Sequence, residues 1–268
     1  DGAIDPTLTS ERLNLGQAVG FERATLAWAE ACAAEQGCPF PGDATAVMSG
    51  LGDLLRELDS KPLTVTEDRS VPAVTEGWAS YGVAAAMYDQ GMWDQLSQAL
   101  TQATRGDGSG LMDLADRYAD RNPGGTYSTN LMQALWAVNC LDKPEPAGAE
   151  ERVAQQQRLT VQAPLWGPFM AWGSLVCATW PQPDGTPPPD PAPITAAGSG
   201  PIVVIGTTRD PATPYEWAVG LADQLEKGTL ITYDGDGHTA YTRSNQCVDD
   251  AVDNWFIDGV VPAADLRC

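Results

Sequence analysis

Apolar residues along most of the chain recur three and four positions apart, which is the spacing of one helix face. The pattern predicts a long helix over Ser10–Ala34 and a second over residues 43–58, where Asp43 is a suitable N-cap. Further helices are predicted at residues 74–88, 93–104, 111–121, 128–140, 150–157 and 164–180. Because strand-like alternation is scarce before residue 181, this part of the chain is expected to be mostly helical.

The pattern changes between residues 182 and 200, where proline and glycine are frequent. Proline removes a backbone donor and glycine loosens the chain, so neither a helix nor the centre of a sheet is expected there. We predict an extended linker over 182–200. The chain then has three parts: a helical cap or lid region at 1–181, this linker, and a C-terminal α/β segment at 201–268.

The C-terminal segment alternates strand and helix patterns. Apolar runs at 201–206 and 229–233 predict strands, and residues 215–226 and 246–257 predict the helices that follow them. The first strand is apolar throughout 202–205, which is typical of a central strand buried on both faces. Because two strands rarely form a stable sheet alone, we expect residues outside this sequence to complete a larger sheet.

One acidic residue and the only histidine of the chain follow these two strands. Asp210 lies in Arg-Asp-Pro-Ala-Thr-Pro after the first strand, and His238 lies in Asp-Gly-Asp-Gly-His-Thr after the second. An acid loop, a helix, a strand and a histidine loop, in this order, end the sheet of an α/β-hydrolase, whose chain order is Ser, Asp, His. The sequence therefore predicts an α/β-hydrolase fold with Asp210 and His238 as catalytic residues.

In such a triad, His238 accepts the proton of the nucleophile and Asp210 orients the imidazole. Gly235 and Gly237 are expected to let the loop before the histidine turn tightly. The alternative is structural: an exposed histidine on a turn and an aspartate that caps the next helix. The flanking strands favour the catalytic interpretation.

The third member of the triad is missing from the sequence. No Gly-x-Ser-x-Gly motif occurs, and the nearest approximations surround Ser80 and Ser109. The glycine spacing is wrong by one residue in each, and neither serine follows the apolar strand that supports the strained nucleophile turn. We expect the nucleophilic serine to lie outside this chain.

The charge of the chain argues against two classes of partner. There are 36 acidic and 15 basic residues, and the net charge of −21 repels nucleic acid and anionic membrane surfaces. The acid excess is typical of a solvated surface, and an acidic funnel for cationic peptides is the alternative. Asp234 and Asp236 suggest a calcium loop, but the distal glutamate of an EF-hand is missing. No metal, cofactor or membrane-spanning segment is expected.

Six cysteines without a Cys-x-x-Cys spacing favour disulfides formed in an oxidising compartment. The simplest of the fifteen possible pairings is sequential: Cys32 with Cys38, Cys140 with Cys177, and Cys247 with Cys268. A secreted, extracellular protein is therefore expected. The sequence opens with the loop-like Asp-Gly-Ala-Ile-Asp-Pro and shows no signal peptide, so an export signal is expected upstream of it.

Several stretches resemble the secreted tripeptidyl aminopeptidases of actinobacteria, which are α/β-hydrolase serine exopeptidases related to proline iminopeptidases. These are RDPATPYEWA at 209–218, TYDGDGHTAY at 232–241, DGAIDP at 1–6, GDGSGLMDLAD at 106–116 and the spaced cysteines. In that family a sheet with the nucleophile elbow precedes a helical cap, and a short α/β segment closes the fold. The resemblance implies that this chain is the cap with the closing segment. Its partner would be the N-terminal part of the same hydrolase, on a separate or missing chain.

The resemblance also implies the release of tripeptides from free N-termini, by a chain that is inactive without the serine-bearing part. An aminopeptidase must bind an ammonium group, and a partly dry carboxylate does this well. Glu76 is a candidate, and its alternative role is to complement a helix dipole. Thr213 is a second substrate-binding candidate, with turn formation between two prolines as its alternative. Other possible functions are an esterase or another α/β-hydrolase, and a non-catalytic binding fragment.

Overall fold

A computed structural model describes residues 1–66, 70–143, 148–181 and 190–268 of the chain. Residues 182–189 of the predicted linker lie outside these ranges. The predicted division of the chain at residues 181 and 200 stays a prediction.

The chain divides into two compact units. The sheet unit comprises residues 1–24 and 189–268, and the helical unit comprises residues 25–188. The boundary near residue 24 falls within helix α1, Ser10–Ala34, whose limits are those that the apolar spacing predicted.

The helical unit contains the helices expected from the sequence, with their ends moved by a few residues. They are α2 Ala44–Ser60, α3 Glu76–Met87, α4 Trp93–Ala103, α5 Ser109–Ala119, α6 Leu131–Asp142, α7 Ala149–Gln162 and α8 Trp166–Gly173, with 3-10 turns at Gln90–Met92 and Ser174–Thr179. Among the described residues, no helix combines the length and apolar composition that crossing a membrane requires.

Helix α2 shows how the sequence produces these elements. The Asp43 carboxylate accepts a hydrogen bond from the Ala46 N–H at 2.9 Å and so caps the first turn, as predicted. Val47, Leu51 and Leu55 are four residues apart, and all are buried on one face. The helix therefore begins at a polar cap and is stabilised by one apolar stripe.

Helices α3 and α5 pack closely because α3 has a glycine at the contact. A Cβ atom added to Gly82 would lie 2.5 Å from the carbonyl oxygen of Leu111, too close for any other residue type. Val83 and Leu114 are fully buried nearby in sequence. The two helices form much of the core of the helical unit.

A short hairpin in the helical unit was not predicted. Strand β1, Leu63–Thr64, pairs antiparallel with β2, Ala73–Val74. Each strand has two residues, so neither shows a detectable alternation of polar and apolar positions. Residues 67–69, between the strands, lie outside the described ranges.

The sheet unit is built on two parallel strands joined by a helix. Strand β3, Ile202–Arg209, and strand β4, Gly228–Asp236, are in register with Ile205 opposite Ile231. Helix α9, Tyr215–Gln224, connects them, and helix α10, Gln246–Asp258, follows β4. In the described residues a third strand, β5 at Leu266–Arg267, pairs parallel with β4. It too is only two residues long and was not predicted.

Strand β3 is buried on both faces, as its apolar run predicted. Val204 packs with Ala218 of α9, and Ile205 packs in a second cluster with Val248 of α10. Within the described residues the sheet order is β3-β4-β5, so β3 forms one edge of the sheet. Completion of a larger sheet beyond that edge stays a prediction.

All six cysteines lie in the described ranges and form disulfides in the sequential pattern. The pairs are Cys32–Cys38, Cys140–Cys177 and Cys247–Cys268. The last pair links α10 to the residue after β5, and the Cys268 N–H donates to the Thr232 carbonyl at 2.8 Å. This covalent link and this hydrogen bond hold a two-residue strand that local propensity alone would not form.

Candidate active site

Asp210 and His238 meet at the carboxyl ends of β3 and β4. Asp210 directly follows β3, and His238 lies two residues after β4. Because the strands are parallel and adjacent, both loops leave the same edge of the sheet. The imidazole Nδ1 of His238 lies 3.0 Å from each carboxylate oxygen of Asp210.

The Asp210 carboxylate is buried and surrounded by donors. Its Oδ1 accepts from the N–H groups of Ala212 at 2.9 Å and Thr213 at 2.8 Å, and its Oδ2 accepts from the Thr239 N–H at 3.2 Å. Only 2% of Asp210 is exposed. These donors replace the hydration that the carboxylate loses on burial.

Thr213 contacts both Asp210 and His238 directly. Its hydroxyl donates to Asp210 Oδ2 at 3.1 Å and lies 3.3 Å from His238 Nδ1. Since its N–H also bonds Asp210, Thr213 holds the carboxylate from two sides. The predicted contact of Thr213 with substrate stays a prediction.

The partners of His238 fix its tautomer. An ionised carboxylate only accepts hydrogen bonds, so the ring nitrogen beside Asp210 must carry the proton. The lone pair is then on Nε2, on the opposite side of the ring. The side chain is 24% exposed, so part of the ring is accessible from outside the sheet unit.

The loop that carries His238 has an unusual backbone. Gly237 has φ +100°, and the β-branched residues Thr239 and Thr242 have φ +67° and +61°. Such angles are strained for β-branched residues and persist only where neighbouring groups hold them. Gly237 thus provides the turn that was predicted, but Gly235 lies within β4, where a Cβ atom would meet the Tyr233 ring at 2.2 Å. Gly235 is needed for that close contact.

Arg209 joins the ends of the two strands, and sequence reasoning missed this. Its guanidinium donates to both carboxylate oxygens of Asp236, at 2.8 and 3.2 Å, and to Asp234 at 3.0 Å. These hydrogen bonds raise the pKa of Arg209, with Asp236 as the largest cause. Hydrogen bonds from Thr208, and then from Arg209, lower the pKa of Asp234. The sequence signal for this contact was the arginine directly before Asp210 together with the two aspartates shortly before His238.

The same contacts explain the Asp-Gly-Asp-Gly sequence without a metal. Both carboxylates in it face Arg209. In the parts of the chain that the structure describes, no group of three or more His, Cys, Asp or Glu side chains is arranged to hold a metal ion.

The remaining sequence candidates lie in the helical unit. Glu76 is in the first turn of α3; burial, and then the charge of Asp59, raise its pKa. Ser80 is buried within α3, and Ser109, the first residue of α5, has its hydroxyl 3.2 Å from that of Thr66. Neither serine lies at a turn between a strand of the parallel sheet and a helix, where a nucleophile elbow is found.

Comparison with known proteins relates the chain to α/β-hydrolases. Residues 163–268, which contain Asp210 and His238, match the family described as TAP-like protein. The chain is 38% identical to carboxylesterase B of Mycobacterium tuberculosis, 34% identical to serine protease Hip1 of the same species and 30% identical to tripeptidyl aminopeptidase of Streptomyces lividans. Each alignment covers 100% of this chain but only 51%, 52% and 49% of those proteins, respectively.

The chain thus spans about half the length of the curated relatives that it matches. The predicted fold class is confirmed: the chain is mixed α/β, mostly helical, with a parallel sheet near its C-terminus. The chain is homologous along its whole length to serine hydrolases, and its segment 163–268 matches the TAP-like family of α/β-hydrolases.

Proposed function

We propose that Asp210 and His238 are the acid–base pair of a serine hydrolase. The observation that carries this is the position of Nδ1, 3.0 Å from both oxygens of a buried carboxylate, where two adjacent parallel strands end. The chain order of acid before histidine is that of α/β-hydrolases.

In this mechanism His238 Nε2 takes the proton of the attacking serine and later gives it to the leaving group. Asp210 keeps the second proton on Nδ1 and stabilises the imidazolium that forms. The donors around Asp210 keep its negative charge in place through both steps. These residues can therefore supply proton transfer but not the nucleophile.

We further propose that the serine and the oxyanion hole belong to the N-terminal part of the same hydrolase. The chain has no Gly-x-Ser-x-Gly motif and spans about half of its relatives. Triad members act as a unit, so these 268 residues by themselves should be inactive. A fluorophosphonate should label the complete protein at one serine and leave the isolated chain unlabelled; stoichiometric labelling of the isolated chain would contradict this.

For the substrate, we propose peptides with a free N-terminus, cleaved to release short peptides such as tripeptides. The similarity to tripeptidyl aminopeptidase and to serine protease Hip1 supports peptide hydrolysis. Glu76 supports recognition of an ammonium group, because a carboxylate whose pKa is raised by burial has lost part of its hydration. The three disulfides support a secreted enzyme.

An esterase is the second candidate, favoured by the 38% identity to carboxylesterase B. Peptidases and esterases of this kind share the acyl-transfer step, so the acid–base pair does not distinguish them. The two activities would be distinguished by the groups that bind the acyl part and the leaving group of the substrate.

The decisive experiment compares substrates on the complete protein. A tripeptide with an amide leaving group, its N-acetylated twin and a short-chain ester should be hydrolysed at very different rates, with the unblocked peptide fastest. Equal rates on the two peptides, or a preference for the ester, would exclude the aminopeptidase. For each substrate, His238→Ala should abolish turnover. Turnover that persists in His238→Ala would exclude the acid–base assignment itself. A non-catalytic binding role would then remain for this chain.

A further inference from the structure

The backbone of the histidine loop is held by carboxylates. The N–H of Thr239 donates to Asp210, the N–H groups of Ala240 and Tyr241 donate to Asp1 Oδ2 at 2.9 and 3.0 Å, and the N–H of Thr242 donates to Asp249 at 2.7 Å. Four consecutive N–H groups therefore point to three negatively charged side chains. This arrangement immediately follows His238.

These bonds coincide with the strained part of the backbone. Thr239 and Thr242 have positive φ, and the two residues between them are those that Asp1 binds. A strained loop relaxes unless surrounding contacts determine its path. Charge-assisted bonds from one carboxylate to two successive N–H groups are suited to this, because they fix the orientation of both peptide planes.

Ala240 makes the contact with Asp1 costly to lose. Ala240 is 0% exposed, within the cluster that includes Ile231 and Val248. A buried N–H that loses its acceptor cannot turn to water, so the loop must move to satisfy it. Movement of Ala240 would shift His238, two residues earlier, relative to Asp210.

The residue after Asp1 lies against the ring itself. Gly2 has φ +63°, and a Cβ atom there would lie 3.4 Å from His238 Cε1 and 3.8 Å from Nε2. These atoms form the ring edge that the proposed mechanism uses for proton transfer. Glycine therefore keeps a methyl group away from this edge while its backbone passes beside it.

We propose that Asp1 is a positioning residue for His238, and that Gly2 keeps the Nε2 edge of the ring open. This inference rests on the proposed function of His238 and goes beyond it, because it assigns a role to a segment far from both catalytic loops in sequence. Asp1 acts through the backbone of residues 239–241 and does not contact substrate.

The first test uses Asp1→Ala and Asp1→Asn in the complete protein, with kcat normalised to active sites titrated by a fluorophosphonate. Asp1→Ala should lower kcat by about 10- to 100-fold with KM changed less than about twofold, since a small displacement of a catalytic group costs this much. Asp1→Asn should recover most of the loss, because an amide oxygen still accepts both N–H groups. A role confined to folding would lower Tm but leave kcat per titrated site unchanged, and that result would overturn the proposal.

The second test separates contact with the ring from backbone strain. Gly2→Ala and Gly259→Ala both place alanine at a positive φ, +63° and +69°, but nothing lies within 4 Å of a Cβ atom at Gly259. Gly2→Ala should lower kcat/KM at least about 10-fold more than Gly259→Ala, at similar Tm. Equal effects would show that Gly2 serves only the backbone.

His238→Ala, measured alongside, separates the two levels of inference. If His238→Ala is inactive and Asp1→Ala has wild-type kcat, the positioning role is wrong and the acid–base assignment stands. If His238→Ala keeps wild-type kcat, the assignment itself is wrong and the positioning role falls with it.

Discussion

The two units of this protein bury charged groups in different surroundings. In the helical unit, Asp116 and Arg121 form a buried ion pair at 2.5 Å. In the sheet unit, the buried carboxylate of Asp210 lies beside a histidine that is 24% exposed. Both carboxylates have partners, but the first partner is a guanidinium and the second is an imidazole, the side chain most often used for acid–base catalysis.

The comparison shows that a buried charge by itself does not identify a site. The Asp116–Arg121 pair lies between α5 and the residues after it, and Arg121 also packs 5.5 Å from the centre of the Trp78 ring. Arginine does not lose its proton in proteins, so this pair is unsuited to acid–base chemistry. Around His238, by contrast, a titratable ring, a strained backbone and the ends of parallel strands occur together. That combination is typical of catalytic sites.

The largest effect is expected from a change in the Asp210–His238 pair. Asp210→Asn in the complete protein should lower kcat about 10⁴-fold, because an amide can stabilise the wrong imidazole tautomer and carries no charge. Thermal unfolding should change far less than activity, since the amide is nearly the same size. Asp223→Asn, an exposed acid on α9, is the matched control and should keep wild-type kcat. A loss of less than tenfold in Asp210→Asn would remove Asp210 from the triad.

The second largest effect is expected from a change in the Asp116–Arg121 pair. Arg121→Met should destabilise the protein by about 3–5 kcal/mol in denaturant unfolding, because it leaves the Asp116 carboxylate buried without its cation. Arg117→Met, on the exposed face of α5, should change stability by no more than about 0.5 kcal/mol. If kcat per titrated site fell in Arg121→Met while stability did not, the buried pair would be functional and the contrast between the units would fail.

A smaller effect is expected for Arg209, whose ion pairs lie in the sheet unit next to Asp210 and His238. Arg209→Lys replaces the two-pronged bond to Asp236 by a single ammonium. Because the pair is partly exposed, the loss of stability should be about 1 kcal/mol. We expect kcat to fall about 3- to 10-fold, because the ion pairs of Arg209 join the strand ends that carry Asp210 and His238. Arg12→Lys, exposed on α1, is the control. An equal kcat in both variants would show that the ion pairs of Arg209 do not position the site.

The smallest effect concerns Glu76. Burial raises its pKa above the ordinary glutamate value of 4.5, so the folded state binds this proton more tightly than the unfolded state. The stabilising contribution is therefore present below pH 4.5 and is lost as the pH rises through the folded pKa. Glu76→Gln should raise Tm by about 1–2 °C at pH 7, and the difference should shrink on acidification.

The same variant tests the proposed substrate contact. If Glu76 binds the substrate ammonium, Glu76→Gln should raise KM for a free peptide and leave KM for the N-acetylated twin unchanged. A parallel rise for both substrates would argue against an ammonium site at Glu76.

Local patterns were sufficient for most helices, for the two longer strands and for the choice of Asp210 and His238 as candidates. Helix spacing of 3.6 residues, the apolar runs of β3 and β4, and the N-cap at Asp43 depend on residues close in sequence. The loops with Asp210 and His238 could be identified because each directly follows such a strand. Two-residue strands such as β5 carry no period, so the sequence alone did not indicate them.

What the sequence determined by itself was the order of helices and strands and the presence of an acid and a histidine after adjacent strands. Only the tertiary structure decided how the pair is held: Thr213 against the carboxylate, Arg209 between the strand ends, and Asp1 on the loop after His238. Asp1 and Ala240 are 239 positions apart. No periodicity of the chain encodes such a contact, because it arises only when the folded backbone brings a carboxylate to donors that would otherwise be buried without an acceptor.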